Sequence, residues 1–217
     1  MKIISILTVL FLSNFLIGQK SYYFADVVAP DGQKVKTVQP KYFGTYTSES
    51  GLVYEVNANG IFIISTNISS ISREVIRESS QYQVRGDYLF GVVENDSIPC
   101  ALQGEYYYFG VRNKTAVTGS SSINVLVQSS DKNNVYYINR PSQDAFVPMR
   151  LTFSQNALDV ELFDYELDTE LFNFIEEQSS LAGEFNELII LSPTAIEFDE
   201  LERQKIFAEK TRFTKSK

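Results

Sequence analysis

Short runs in which apolar and polar residues alternate dominate the chain from Ser21 to about Tyr165. They are rich in Val, Ile, Tyr, Phe and Thr, side chains that fit a pleated, half-buried surface, so the pattern predicts strands. Strands are expected over Tyr22–Val28, Lys34–Val38, Tyr42–Thr47, Leu52–Asn57 and Ile61–Thr66. Further ones follow over Gln81–Arg85, Tyr88–Glu94, Ile98–Leu102, Tyr106–Arg112, Ile123–Gln128, Val135–Asn139, Met149–Ser154 and Leu158–Tyr165. Asp31-Gly32, Asn59-Gly60, Gly86-Asp87 and Gln155-Asn156 fall between neighbouring runs, where such dipeptides accept tight hairpin turns. The expectation is a mainly β fold, an antiparallel β-meander closed into a barrel or folded into a sandwich, and the pattern leaves both forms open.

One stretch reads two ways. Ser70–Glu78 places Arg73, Val75 and Arg77 on one side of a strand, yet Ile71 with Val75 and Glu74 with Arg77 also share helical faces. Its β-branched content and flanking strands favour extended structure.

From about residue 167 to 217 the pattern changes. Asp168 is placed to cap a helix through Glu170, Leu171, Phe174 and Ile175 that ends before Gly183. Glu187–Leu191 reads as one extra strand. Pro193 followed by Thr194-Ala195-Ile196-Glu197 has the form of a capping box, which starts a second short helix with Phe198 and Leu201 facing inwards. The basic end, Lys210 to Lys217, reads as a tail that frays. No polar linker divides the chain, so residues 19–217 are read as one β-rich domain with this α/β extension.

The first residues follow a different pattern. Lys2, the apolar run Ile3–Leu12 and Gly18 have the layout of a signal peptide over residues 1–18. The run is too short and too interrupted for a membrane span, so no transmembrane segment is expected after cleavage, and the protein is expected to be exported to the periplasm or beyond.

Charge and composition narrow the chemistry. A formal charge of −8 disfavours nucleic acid as a partner, because phosphate binding needs an excess of Lys and Arg. The chain has no histidine and a single cysteine, Cys100. That removes Ser-His-Asp and Cys-His catalysis, His- or Cys-ligated metals and any internal disulfide. No glycine-rich phosphate loop or calcium loop occurs either, so no cofactor and no metal is expected. Cys100 sits among apolar neighbours and reads as an inert thiol. Carboxylate chemistry of the glycosidase type remains, with Glu55, Glu74, Glu78, Glu105, Asp159, Glu161 and Asp164 as the acids available and no spacing that selects a pair.

Two local concentrations stand out as ligand-binding candidates. Arg73, Arg77, Tyr82 and Arg85 could combine guanidinium forks with aromatic area, although charges so arranged also pair with neighbouring acids. In Glu105-Tyr106-Tyr107-Tyr108-Phe109, alternation puts Tyr106 and Tyr108 on one face of a strand and Tyr107 with Phe109 on the other. One face would join the core and leave the other tyrosines exposed. The expected function is a non-enzymatic binding or structural protein of a bacterial cell envelope, with a small ligand or an envelope protein as partner. The alternatives are a carboxylate-dependent hydrolase and an envelope assembly factor whose basic tail contacts its partner. A lined cavity would favour a small ligand, and a filled core a protein.

Overall fold

Strong local strand patterning yields, among the described residues, sixteen strands that join in one sheet. The computed structural model of the chain describes residues 20–29, 31–94, 96–164, 169–182 and 187–216. The expected signal segment, Asp168, Gly183 and Lys217 lie outside the described residues.

The strands are β1 (Lys20–Phe24), β2 (Gln33–Lys34), β3 (Gly44–Ser48), β4 (Val53–Asn57), β5 (Gly60–Ser72), β6 (Gln83–Arg85), β7 (Tyr88–Phe90) and β8 (Ser97–Gln103). They continue with β9 (Tyr106–Ala116), β10 (Val125–Gln128), β11 (Val135–Ser142), β12 (Ala145–Phe153), β13 (Ala157–Phe163), β14 (Gln178–Ala182), β15 (Glu187–Leu191) and β16 (Phe207–Lys215). Two α-helices accompany them, α1 (Arg73–Glu78) and α2 (Ala195–Arg203). The main path runs β14-β15-β1-β12-β13-β16-β3-β4-β5-β9-β8-β7-β6. β11 lies along the other edge of β12 and leads through β10 to β2. Ladders are antiparallel except β1 with β15. The sheet does not close into a barrel, because no ladder joins its ends.

Alternation along β11 shows how this sheet serves two cores. Tyr136 and Ile138 point into a cluster with Tyr46, Tyr54, Ile61, Leu151, Phe153, Leu158 and Phe213. Val135 and Tyr137 point the opposite way, into Tyr22, Phe24, Phe163, Phe172, Leu191, Phe198 and Leu201. The first core is filled by rings. Tyr42 stacks on Phe153 with centroids 4.8 Å apart, and Tyr54 meets Phe213 edge-on at 4.9 Å. Such pairs contribute about 1 kcal/mol each beyond their buried area. At the rim of this core two turns touch at glycines. A Cβ on Gly60 would lie 2.4 Å from the Thr118 carbonyl oxygen and one on Gly119 2.1 Å from that of Asn59. Both have φ in the positive range that glycine alone adopts freely, at 136° and 103°.

Three expectations need correction. The stretch after residue 168 turns as a 3-10 helix over Thr169–Phe172 and does not continue as an α-helix; Gln178–Ala182 is the edge strand β14. The Glu176 N–H that would extend the helix donates instead to Glu197 Oε1 at 2.9 Å. The Gln178 side-chain amide takes the carbonyls of Phe172 and Ile175 at 2.7 and 2.8 Å. Ser70–Glu78 is not extended throughout. The ladder with β9 ends at Ser72 opposite Tyr106, and with no partner strand beyond it the chain turns helical. Ser72 Oγ caps α1 by accepting from Val75 N. The basic tail is not frayed either: residues up to Lys215 form β16, which lies between β13 and β3. Phe213 is buried, and Arg212 and Lys210 reach Asp159.

Candidate functional site

β5 and β9 are long, pairing over eleven residues from Phe62–Ala116 to Ser72–Tyr106, and their outer halves leave the two cores behind. With β8, β7 and β6 these halves form a five-stranded arm whose register sorts side chains by face. Cys100 lies opposite Phe109, Leu89 opposite Ile98, and Val84 opposite Leu89. On this more covered face Leu89 and Phe109 are buried and Tyr107, Ile98 and Cys100 half-buried, while Leu102, opposite Tyr107, stays exposed.

The opposite face is bare. Ile68 lies opposite Gly110, Ser70 opposite Tyr108 and Ser72 opposite Tyr106. Ala101 also faces Tyr108, Tyr88 faces Pro99, and Arg85 faces Tyr88. Ile68 is 73 % exposed, Tyr88 50 %, Tyr106 48 % and Tyr108 38 %. The alternation expected at Tyr106–Phe109 is what the strand does: one pair of rings is covered and the other open.

The structure separates the candidates. Tyr106, Tyr108 and Arg85 share the open face, where the Arg85 Nη2 donates to Gln83 Oε1 at 2.9 Å and its guanidinium stands 5.3 Å from the Phe90 ring. Tyr82 is half-buried in the loop entering β6, its backbone N–H donating to Ser79 Oγ at 3.1 Å. Arg73 and Arg77 sit on α1, beyond the end of β5. Arg77 stands 3.9 Å from Glu74 and 3.7 Å from Glu78, an exposed arrangement worth little. Ile68, Tyr88 and Arg112 escaped the sequence reading. Register would have found them, because the Thr-x-Ile-x-Ser alternation of β5 matches that of β9 only once the hairpins are paired.

The open face carries cations and no carboxylate along its strands. Arg112, exposed and without an ion pair among the described residues, follows Gly110 on the same side of β9. Glu55, nearer the cores, is already taken. Lys114 Nζ lies 2.7 Å from it and holds its carboxyl below the usual range. Asp87 and Glu105 lie in turns at the ends of the arm. Cys100 is half-buried on the covered face, and burial, helped by Asp87, pushes its thiol up, which keeps it a weak nucleophile.

Asp159, Glu161 and Glu202 are engaged elsewhere. Arg150 grips Glu161 through two hydrogen bonds of 2.9 Å and reaches Glu202 at 3.0 Å; Tyr137 donates to the same Glu202 oxygen. Asp159 accepts from Arg212 at 2.7 and 2.9 Å, which holds its carboxyl low. The Arg150 guanidinium therefore lies between Glu161 and Glu202. A surface recess of about 580 Å³ opens at the tip of the arm, lined by Gln81, Phe90, Val93, Glu94 and Asp96 among others. The chain matches no protein-family model, no curated protein and no solved structure.

Proposed function

We propose that this chain is an exported, non-enzymatic binding module of a bacterial cell envelope, and that the open face of the β5–β9 arm meets its partner. The carrying observation is the exposure of Ile68, Tyr88, Tyr106 and Tyr108 on one side of one sheet. Contiguous apolar surface of this kind marks interaction sites, and tyrosines supply rigid contact area with a polar tip. The rolled part of the sheet adds a second argument, since its interior is filled by Tyr46, Tyr54, Tyr136, Phe153 and Phe213 and leaves that space to no small apolar ligand. Export rests on the signal-like residues 1–18; cleavage near Gly18 leaves β1, which starts at Lys20, whole.

Hydroxyl-radical footprinting of the purified chain and of the same chain in its own cells tests the reading. Tyr88, Tyr106 and Tyr108 are expected to be protected in the cell, while the exposed Ile123 and Ile196 react equally in both. Equal reactivity of the three tyrosines would end the proposal. An envelope fraction holding full-length precursor, with residues 1–18 uncut, would end its export part.

A further inference from the structure

We infer that the open face of the arm docks an acidic protein segment, with partner carboxylates on Arg85 and Arg112 and an apolar partner side chain between Ile68 and Tyr88. This rests on the arm face being the binding surface and adds the chemistry of what binds there.

The relief of the face suggests the apolar contact. Ile68 stands opposite Gly110, and Tyr88 opposite Pro99. Extending the Cys100–Phe109 register by one step brings Pro99 beside Gly110, so the two tall residues flank a low centre. Ala101, opposite Tyr108, continues that floor. Ile68 and Tyr88 lie three strand spacings apart, about 14 Å between backbones, enough to seat a side chain.

Charge selects the partner. Arg85 belongs to the row of Tyr88, and Arg112 sits one paired position beyond Gly110. From Arg112 to the tip of the arm the face-pointing positions otherwise hold Ser, Thr, Gln, Gly, Pro, Ala and aromatic or aliphatic residues, with Asp, Glu and Lys missing; the next such position of β9, Lys114, is paired with Glu55. Depletion of those three beside exposed Tyr and Arg is the signature of a protein interface centre. A second copy of this chain laid face to face would bring four arginines into one small interface, which is unfavourable. Size points the same way. Five strands at about 4.8 Å and five residues at about 3.3 Å span roughly 400 Å² before side-chain relief, well under the ~800 Å² per partner of a stable dimer. A segment fits this face better than a domain. A nucleic acid would bring a phosphate at every nucleotide to a face that offers two arginines.

The test is photo-crosslinking in the cells that make the full chain, with p-benzoylphenylalanine replacing Tyr106, followed by mass spectrometry of the attached fragment. The expected adduct is a peptide of another protein with more Asp and Glu than Lys and Arg. Its yield should fall about tenfold in R85E/R112E, which touches only exposed side chains, and return in R85K/R112K. An adduct with this chain itself, a neutral or basic peptide, a glycan or a nucleotide overturns the inference, as does a yield indifferent to charge reversal. Absence of any adduct while the tyrosines stay protected in the footprint overturns this inference alone. Loss of that protection removes the functional reading beneath it.

Discussion

Single side chains hold the charge balance of the fold. Arg150, Glu161 and Glu202 are each no more than 21 % exposed at the side chain, and the guanidinium also lies 5.0 Å from the Phe207 ring. Arg150→Met strips Glu161 of its counter-charge and leaves Glu202 only Lys132 at 3.5 Å, and the expected loss is roughly 3 kcal/mol, read as a lower urea midpoint. Tyr46 gives the alkaline limit. Burial, with a smaller push from Tyr42, raises its hydroxyl to about 12, and it donates to the Tyr42 carbonyl at 2.7 Å. An unfolded tyrosine ionises near 10, so this contribution is whole below about pH 10 and lost as pH rises through about 12. Tyr46→Phe should flatten the fall of stability with pH in that window. On the acid side, Asp159 is held low by Arg212, so its share is present above the unfolded carboxyl value and disappears as pH drops below it. Asp159→Asn should shift the acid unfolding midpoint upwards in pH.

At the scale of elements, local chemistry was legible and long-range competition was not. The strand runs and the box at Thr194 read directly because each depends on neighbours in sequence. Thr194 N and Oγ1 both lie 2.7 Å from Glu197 Oε2, while Oγ1 accepts from Glu197 N at 3.3 Å. Thr194→Ala should cost about 1 kcal/mol, measured by chemical denaturation. The lost helix after residue 168 shows the limit. Its Leu-Phe-x-Phe-Ile spacing is helical, yet the carboxylate that takes the Glu176 N–H belongs to α2, twenty-one residues later. No window around Glu176 contains that information. The candidate site was half legible for the same reason: the rings of Tyr106 and Tyr108 follow from alternation in one strand, whereas Ile68, Tyr88 and Arg112 join them only through pairing.

At the scale of the whole molecule, the mainly β, antiparallel character followed from pattern and turns, while the position of the last strand did not. β16 carries Lys210 and Arg212 outwards and Phe213 inwards, a polar sequence between two apolar anchors, Phe207 and Phe213, whose end looks like a tail until its neighbours are known. Its removal is expected to unfold the chain. A form ending at Ile206 should show disordered far-ultraviolet dichroism and rapid proteolysis throughout; a folded remnant with the native spectrum would contradict the placement of β16 between β13 and β3.

That placement also governs when the protein can mature. A nascent chain from which β16 has not yet emerged lacks the strand that bridges β13 and β3, so neither half of the sheet is complete before that strand appears. Contacts this distant in sequence form slowly. A stalled or clipped product therefore has no shorter native state to settle into, and quality control meets it as an open polypeptide.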